Sequence, residues 1–173
     1  MKVIETDRLL LRRLTTEDAG FILRLLNEPS YMHFIGDKGV RTIDGARDYI
    51  LKGPIASYEQ FGFGLYLTAL KDSEVPIGIC GLLKRDSLPD VDIGFAFLPQ
   101  FRSQGYAHEA ASAVMIHGRD DLGLNRIVAI VSPDNERSIK LLGKLGLKFE
   151  RMASWSEDGS DIKLYASKVK KAG

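Results

Sequence analysis

Cysteine is almost missing from this chain. The single Cys80 among 173 residues cannot close an internal disulfide, so the fold rests on its core and the count points to a reducing compartment. Cys80 stands inside Ile77-Gly78-Ile79-Cys80-Gly81-Leu82-Leu83, where a small core residue is expected rather than a nucleophile. An excess of charge is missing too. Lys and Arg number 24 against 23 Asp and Glu, a net charge of +1, which argues against the basic surface of a nucleic-acid binder. The one basic cluster, Lys168, Lys170 and Lys171, reads as a solvated tail. No signal peptide is visible and no apolar run approaches a membrane span, so a cytoplasmic protein without membrane attachment is expected. Repeats, low-complexity tracts and linkers are also lacking, and 45% hydrophobic with 27% charged residues suits one globular domain over 1–173.

What is present is periodic. A strand is predicted over 8–14, and Thr15-Thr16-Glu17-Asp18 gives a capping-box start to a helix whose apolar side is Phe21, Ile22, Leu25 and Leu26. Pro29 lies just past its end, and 31–41 mixes aromatics, charges and glycines without a period, as a loop does. A second helix starts near Thr42 with Ile43, Ala46 and Ile50; Gly53-Pro54 interrupts it and 55–60 resumes it. Phe61, Phe63, Leu65 and Leu67 alternate with smaller or polar residues as a strand, and further strands are predicted over 75–83 and 91–98. After these come a helix, a strand over 126–131, and a short helix over 135–145 stopped by Gly146. A hairpin of 149–155 and 161–166 across Glu157-Asp158-Gly159 ends the chain. The class is α+β, with an antiparallel meander.

The turn Arg102-Ser103-Gln104-Gly105-Tyr106-Ala107 is the chemically informative stretch. It follows the alternating run Val91-Asp92-Ile93-Gly94-Phe95-Ala96-Phe97-Leu98 and precedes a helix marked by Ala107, Ala110, Ala111, Val114 and Met115. Unpaired N–H groups in a helix's first turn, aided by the dipole, favour a phosphate. Gly105 permits unusual dihedrals, Ala107 leaves room for close approach, and Arg102 offers a charged contact at the rim. An ordinary strand-to-helix turn needing a glycine would look the same locally.

R-x-x-G-x-A after an alternating strand, followed by a helix, a strand and Asn135-x-x-Ser138, resembles the acetyl-CoA site of the GNAT N-acetyltransferase superfamily. The opening Glu5-Thr6-Asp7-Arg8-Leu9-Leu10-Leu11-Arg12 and the run from Asn135 to Leu147 resemble the RimJ/RimL branch, which acetylates the N-termini of ribosomal proteins. The resemblance implies a central, mostly antiparallel mixed sheet of six or seven strands, splayed between the fourth and fifth, with about four helices. It implies acetyl-CoA as cofactor and direct transfer to a primary amine, on a protein N-terminus or a small molecule, in a ternary complex. It places the diphosphate on Arg102, Ser103, Gln104, Gly105, Tyr106, Ala107 and His108. The pantetheine arm and the thioester oxygen fall, at a strand bulge, to the backbone of Ala96, Phe97 and Leu98, with Asn135, Ser138 and Leu141 alongside. Ser138 is the implied donor to the departing thiolate; many members use a tyrosine there. The region 31–41 is implied to wall the acceptor site.

The residues themselves leave alternatives. Asn135 suits a helix N-cap as well as a pantetheine contact, and Ser138 suits a small polar residue bonded to the preceding turn. Asp92 stands where the family has an acidic residue, yet it is four residues from Ala96, roughly 13 Å along a strand. As a general base it needs a water relay and a pKa above the usual value of about 3.9. A solvated or salt-bridged Asp92 fits equally. His108-Glu109-Ala110-Ala111-Ser112 begins like H-E-x-x-H but lacks the second histidine, so no metal site is expected. His108 reads as a surface residue that can touch a phosphate, and Glu109 favours the positive end of the dipole. Neither G-x-x-x-x-G-K-[ST] nor G-x-G-x-x-G occurs, which excludes a P-loop or dinucleotide fold. A non-catalytic acyl-CoA-binding module remains the alternative function. An exposed strand edge would permit a homodimer beside a monomer.

Overall fold

The computed structural model describes residues 1–155 and 159–168. Eight strands form one sheet in the order β1-β2-β3-β4-β5-β6-β8-β7. They are β1 (Lys2–Glu5), β2 (Leu9–Arg13), β3 (Leu65–Leu70), β4 (Pro76–Leu83), β5 (Val91–Phe97), β6 (Ile127–Val131), β7 (Lys148–Ser154) and β8 (Asp161–Ala166). All neighbours are antiparallel except β5 and β6, so the sheet is mixed.

The α-helices are α1 (Ala19–Leu26), α2 (Pro29–Phe34), α3 (Ile43–Ile50), α4 (Ala56–Phe61), α5 (Tyr106–Asp120) and α6 (Glu136–Lys144). They cover both faces of the sheet. Ala110, Ala111 and Val114 of α5 pack with Leu9, Leu11, Cys80 and Leu82 on one face. Ile22 and Leu25 of α1, with Ala46 and Ile50 of α3, pack with Leu67 and Ile79 on the other. Cys80 is fully buried, and burial pushes its thiol pKa up, as suits a core residue.

Local chemistry sets the boundaries. Thr15 makes the expected capping box with Asp18, and Arg12 grips the same carboxylate through two N–H bonds of 2.8 and 2.9 Å. Thr42 caps α3 through Gly45 N at 3.0 Å. The interruption at Gly53-Pro54 is a π-helical turn, Leu51–Ile55, that accommodates the missing proline N–H and carries the chain into α4. Gly146, at φ +87°, lies just beyond α6 as expected.

Three segments differ from the sequence reading. The N-terminal stretch is two strands, because Thr6 turns the chain by accepting from Leu9 N, which adds β1. Pro29 opens α2 at its first turn instead of following a helix, so Tyr31 to Phe34 are helical. Phe61 and Phe63 precede the strand: Phe61 ends α4, and Gly62 at φ +81° caps it. The final hairpin forms between β7 and β8, while Glu157 and Asp158 of its turn lie outside the described residues, as do Lys170 and Lys171. Among the described residues no helix is long and apolar enough to cross a membrane.

Candidate active site

The sheet opens between β5 and β6. Their parallel pairing covers only Val91 with Ile127 and Asp92 with Val128, while β6 continues along β8 from Val128 to Val131. The second half of β5 therefore has no partner on that edge. These are the fourth and fifth strands of the sequence reading, once the added β1 is counted. The β4–β5 register runs without a shift from Gly78 and Phe97 to Leu83 and Asp92, so the splay forms without the bulge the family resemblance implied.

That register also decides which main-chain groups face the gap. Leu98 N–H donates to Ile77 O at 2.9 Å, toward β4. Antiparallel strands alternate, so Ala96 turns its N–H and C=O to β4 as well. Consistently, a Cβ on Gly78 would meet Ala96 O at 2.4 Å. Phe95 and Phe97 thus present their N–H and C=O to the opening. Leu98, 1% exposed, belongs to the core and has already spent its N–H.

Two cavities of about 570 and 550 Å³ flank the gap and share a wall that includes Tyr31, Phe34, Ala96, Asn135 and Ser138. The smaller runs along the phosphate-type turn. Ser103 at φ +61° and Gly105 at φ +83° bend the chain so that α5 begins without a side-chain cap. The first-turn amides of Tyr106, Ala107 and His108 are left for an anion. Arg102, Arg137, Lys140 and Lys144 line this cavity against Glu28, Asp134 and Glu136. Arg102 is tied to α2 through Ser30 Oγ at 2.5 Å. His108 Nε2 lies 3.5 Å from Ser112 Oγ.

Most residues nominated from the sequence meet here: Ala96, Phe97, Arg102, Ser103, Gly105, Tyr106, Ala107, His108, Asn135, Ser138 and Leu141 all line the smaller cavity. Leu98 and Gln104 do not. Gln104 turns its amide to Gln100 O at 3.2 Å, and its own carbonyl accepts from Arg8 Nη1 at 2.9 Å. Asn135 is the N-cap of α6, its Oδ1 accepting from Ser138 N at 3.3 Å, which leaves the Ser138 hydroxyl outside the cap. Glu109 does more than favour the dipole: it accepts from Thr6 Oγ1, Arg8 N and Arg8 Nε at 2.7, 2.9 and 2.7 Å.

Asp92 lies in the larger cavity's wall, 1% exposed, and accepts from Arg85 Nε at 3.0 Å. Burial pushes its pKa up against the opposing pull of Arg85. It is salt-bridged rather than solvated. Arg85 was missed from the sequence. Two strands joined by a polar connection bring the residue just past one into reach of the start of the next, and the pairing of Leu83 with Asp92 does so here. Tyr31, Phe34 and residues 35–38 also wall this cavity.

Residues 8–148 match the acetyltransferase (GNAT) domain family, most of the chain. The chain belongs to the GNAT acetyltransferases. It is similar to the uncharacterized N-acetyltransferase YoaA of Bacillus subtilis (strain 168), 31% identical over 150 residues that cover 86% of this chain and 84% of that protein. Among solved structures, a GNAT-family acetyltransferase from Bacillus anthracis superposes with a TM-score of 0.78 at 24% identity, covering 96% and 97% of the two chains. RimL, the ribosomal L7/L12 alpha-N-protein acetyltransferase in complex with coenzyme A, superposes with a TM-score of 0.83 at 17% identity, covering 98% of each. GNAT acetyltransferases use acetyl-CoA. The uncapped start of α5, the small Ala107 and the four flanking cations fit a diphosphate-bearing cofactor.

Proposed function

We propose that this GNAT acetyltransferase transfers the acetyl group to a primary amine by direct attack in a ternary complex. One observation carries the reading: two chambers, one suited to a diphosphate and one to an acceptor, touch at the open edge of β5 across Ala96, Asn135 and Ser138. Acetyl-CoA supplies an activated thioester, so the chain needs to bind, align and move protons.

Each step has a candidate group. The amides of Tyr106 to His108 hold the diphosphate. The exposed edge of Phe95 and Phe97 pairs with the extended arm, and one of its N–H groups polarises the acyl oxygen. As the amine nitrogen bonds to the acyl carbon and the carbon–sulfur bond breaks, Ser138 gives a proton to the sulfur. Asp92 takes the proton lost by the amine through water, since the strand separates it from Ala96 by roughly 13 Å. Its upward-shifted pKa suits that task.

Free-thiol release from acetyl-CoA across a panel of amines, with coenzyme A binding measured separately, tests this. Amine-dependent release is expected. Binding without release for every amine would leave a cofactor-binding module instead.

A further inference from the structure

The acetyl-transfer reading uses Asp92 but leaves its partner Arg85 without a role. Arg85 follows β4 and lines the 570 Å³ chamber with 29% of its side chain exposed. Its Nε donates to the buried Asp92 Oδ1 at 3.0 Å, and its guanidinium lies over the Trp155 ring at 5.2 Å from the centroid. One edge of the fork is thus committed to Asp92, and an aromatic face fixes its plane. Among the described residues no other group accepts a hydrogen bond from Arg85. A guanidinium has five N–H donors and no acceptor, so the remaining donors suit an anion and repel a second ammonium.

We propose that Arg85 is an anion subsite of the acceptor chamber. The acceptor is a small molecule with a primary amine at one end and a carboxylate or phosphate at the other. This rests on the acetyl-transfer reading above, because the amine must lie at the Ala96–Ser138 end. The chamber follows β5 from Asp92 to Ala96, roughly 13 Å of strand. Amine and anion are therefore separated by a spacer of several bonds. An α-amino acid, with its amine only two bonds from the carboxyl carbon, is too short to span both ends. The other charges on this wall leave room for an anion. Asp37 is neutralised by Arg41 at 2.6 Å, Lys38 adds a positive group, and Asp161 sits exposed on β8. Tyr31 and Tyr49 line the chamber and are hydrogen-bonded to each other, which leaves the Tyr49 hydroxyl proton for the same anion.

The test uses ω-amino carboxylic acids and ω-amino alkyl phosphates of graded length, each beside its uncharged amide or alcohol, with diamines as a third arm. For the wild type, kcat/KM should favour the anionic member of a pair by about tenfold or more, the effect of one charge-assisted hydrogen bond, expressed in KM. The phosphate and carboxylate arms tell which anion is taken. Arg85→Gln should abolish the preference and Arg85→Lys should restore part of it. The quantity read is the anionic-to-neutral ratio within each enzyme, which a general loss of structure or of Asp92 basicity leaves unchanged. Equal rates for a pair in the wild type, a preference for diamines, or an unchanged ratio in Arg85→Gln overturns the proposal. Absence of thiol release with any amine overturns the acetyl-transfer reading and this inference with it. Transfer that ignores the anion overturns this inference alone.

Discussion

Glu109 and Arg8, 101 residues apart in sequence, fasten the start of α5 to the strand connection at the other end of the chain. The Glu109 carboxylate accepts from both the backbone N–H and Nε of Arg8, and Arg8 Nη1 reaches Gln104 O inside the phosphate-type turn. Arg8 also stacks over Tyr106 at 4.4 Å. The turn's curvature is thus held from outside the cavity, where no cofactor contact is needed. Glu109→Ala should lower stability by about 1–3 kcal/mol, the cost of leaving its donors unpaired. It should also weaken coenzyme A binding severalfold while changing kcat little. Chemical denaturation and a coenzyme A titration check both.

The same carboxylate gives a pH signature. Burial pushes the Glu109 pKa up, but the bonds from Thr6 and Arg8 together outweigh it and hold the value below the usual range. A depressed folded-state pKa contributes stability above the unfolded value, near 4.3, and loses it as pH falls through the folded one. Wild type should therefore lose stability on acidification below about pH 4.5 more steeply than Glu109→Gln. Denaturation midpoints measured from pH 7 to pH 3 show the difference. Parallel curves would remove Glu109 from the account.

Asp92 has the opposite sign. Burial raises its pKa despite Arg85, so in the native state it stays protonated to a higher pH than a free aspartate. A base works deprotonated, hence activity should be present above that raised value and fall below it. Asp92→Asn should lower kcat by about 10²-fold or more and erase the acid limb of the kcat/KM profile. An unchanged limb in the mutant would assign it to another group and leave Asp92 as the anchor of Arg85.

What the sequence made legible, and what it hid, follows from the range of the interactions. The alternation of β5, the glycine turn and the small-residue face of α5 are local, and each appears where periodicity placed it. Asn135 as N-cap is equally local. Phe61 misled because alternation of Phe61, Phe63, Leu65 and Leu67 suits a strand, whereas the left-handed Gly62 ends a helix there first. The Arg8–Glu109 and His33–Asp134 contacts each join residues 101 positions apart, and no periodicity signals them. Which backbone groups of β5 face the gap depended on its register with β4. The sequence pointed to the backbone of Ala96, Phe97 and Leu98; the register keeps Phe97, turns Ala96 and Leu98 toward β4, and brings in Phe95.

Ser138 allows catalysis and folding to be separated. Asn135 caps α6 through the main-chain N–H of Ser138, so Ser138→Ala keeps the cap and removes only the hydroxyl. Stability and coenzyme A affinity should stay near wild type while kcat falls by about 10²-fold or more, the scale of a lost proton donor. Asn135→Ala should instead cost about 1 kcal/mol of stability. If Ser138→Ala turns over at the wild-type rate, the proton reaches the sulfur from water and the hydroxyl has no part in it.

Gly105 tests the phosphate turn itself. Its φ of +83° lies in the left-handed region, and an added Cβ would stand 3.2 Å from Arg8 Nη2. Gly105→Ala should therefore cost about 1–2 kcal/mol in backbone strain and push the Arg8 guanidinium aside. Because Gly105 is the N-cap residue of α5, the first-turn amides would shift with it. Coenzyme A and dephospho-coenzyme A, which both carry the diphosphate, should bind at least tenfold more weakly, whereas pantetheine and phosphopantetheine, which lack it, should lose little. Equal losses for coenzyme A and for an analogue without the diphosphate would mean that the turn shapes the fold rather than the anion site.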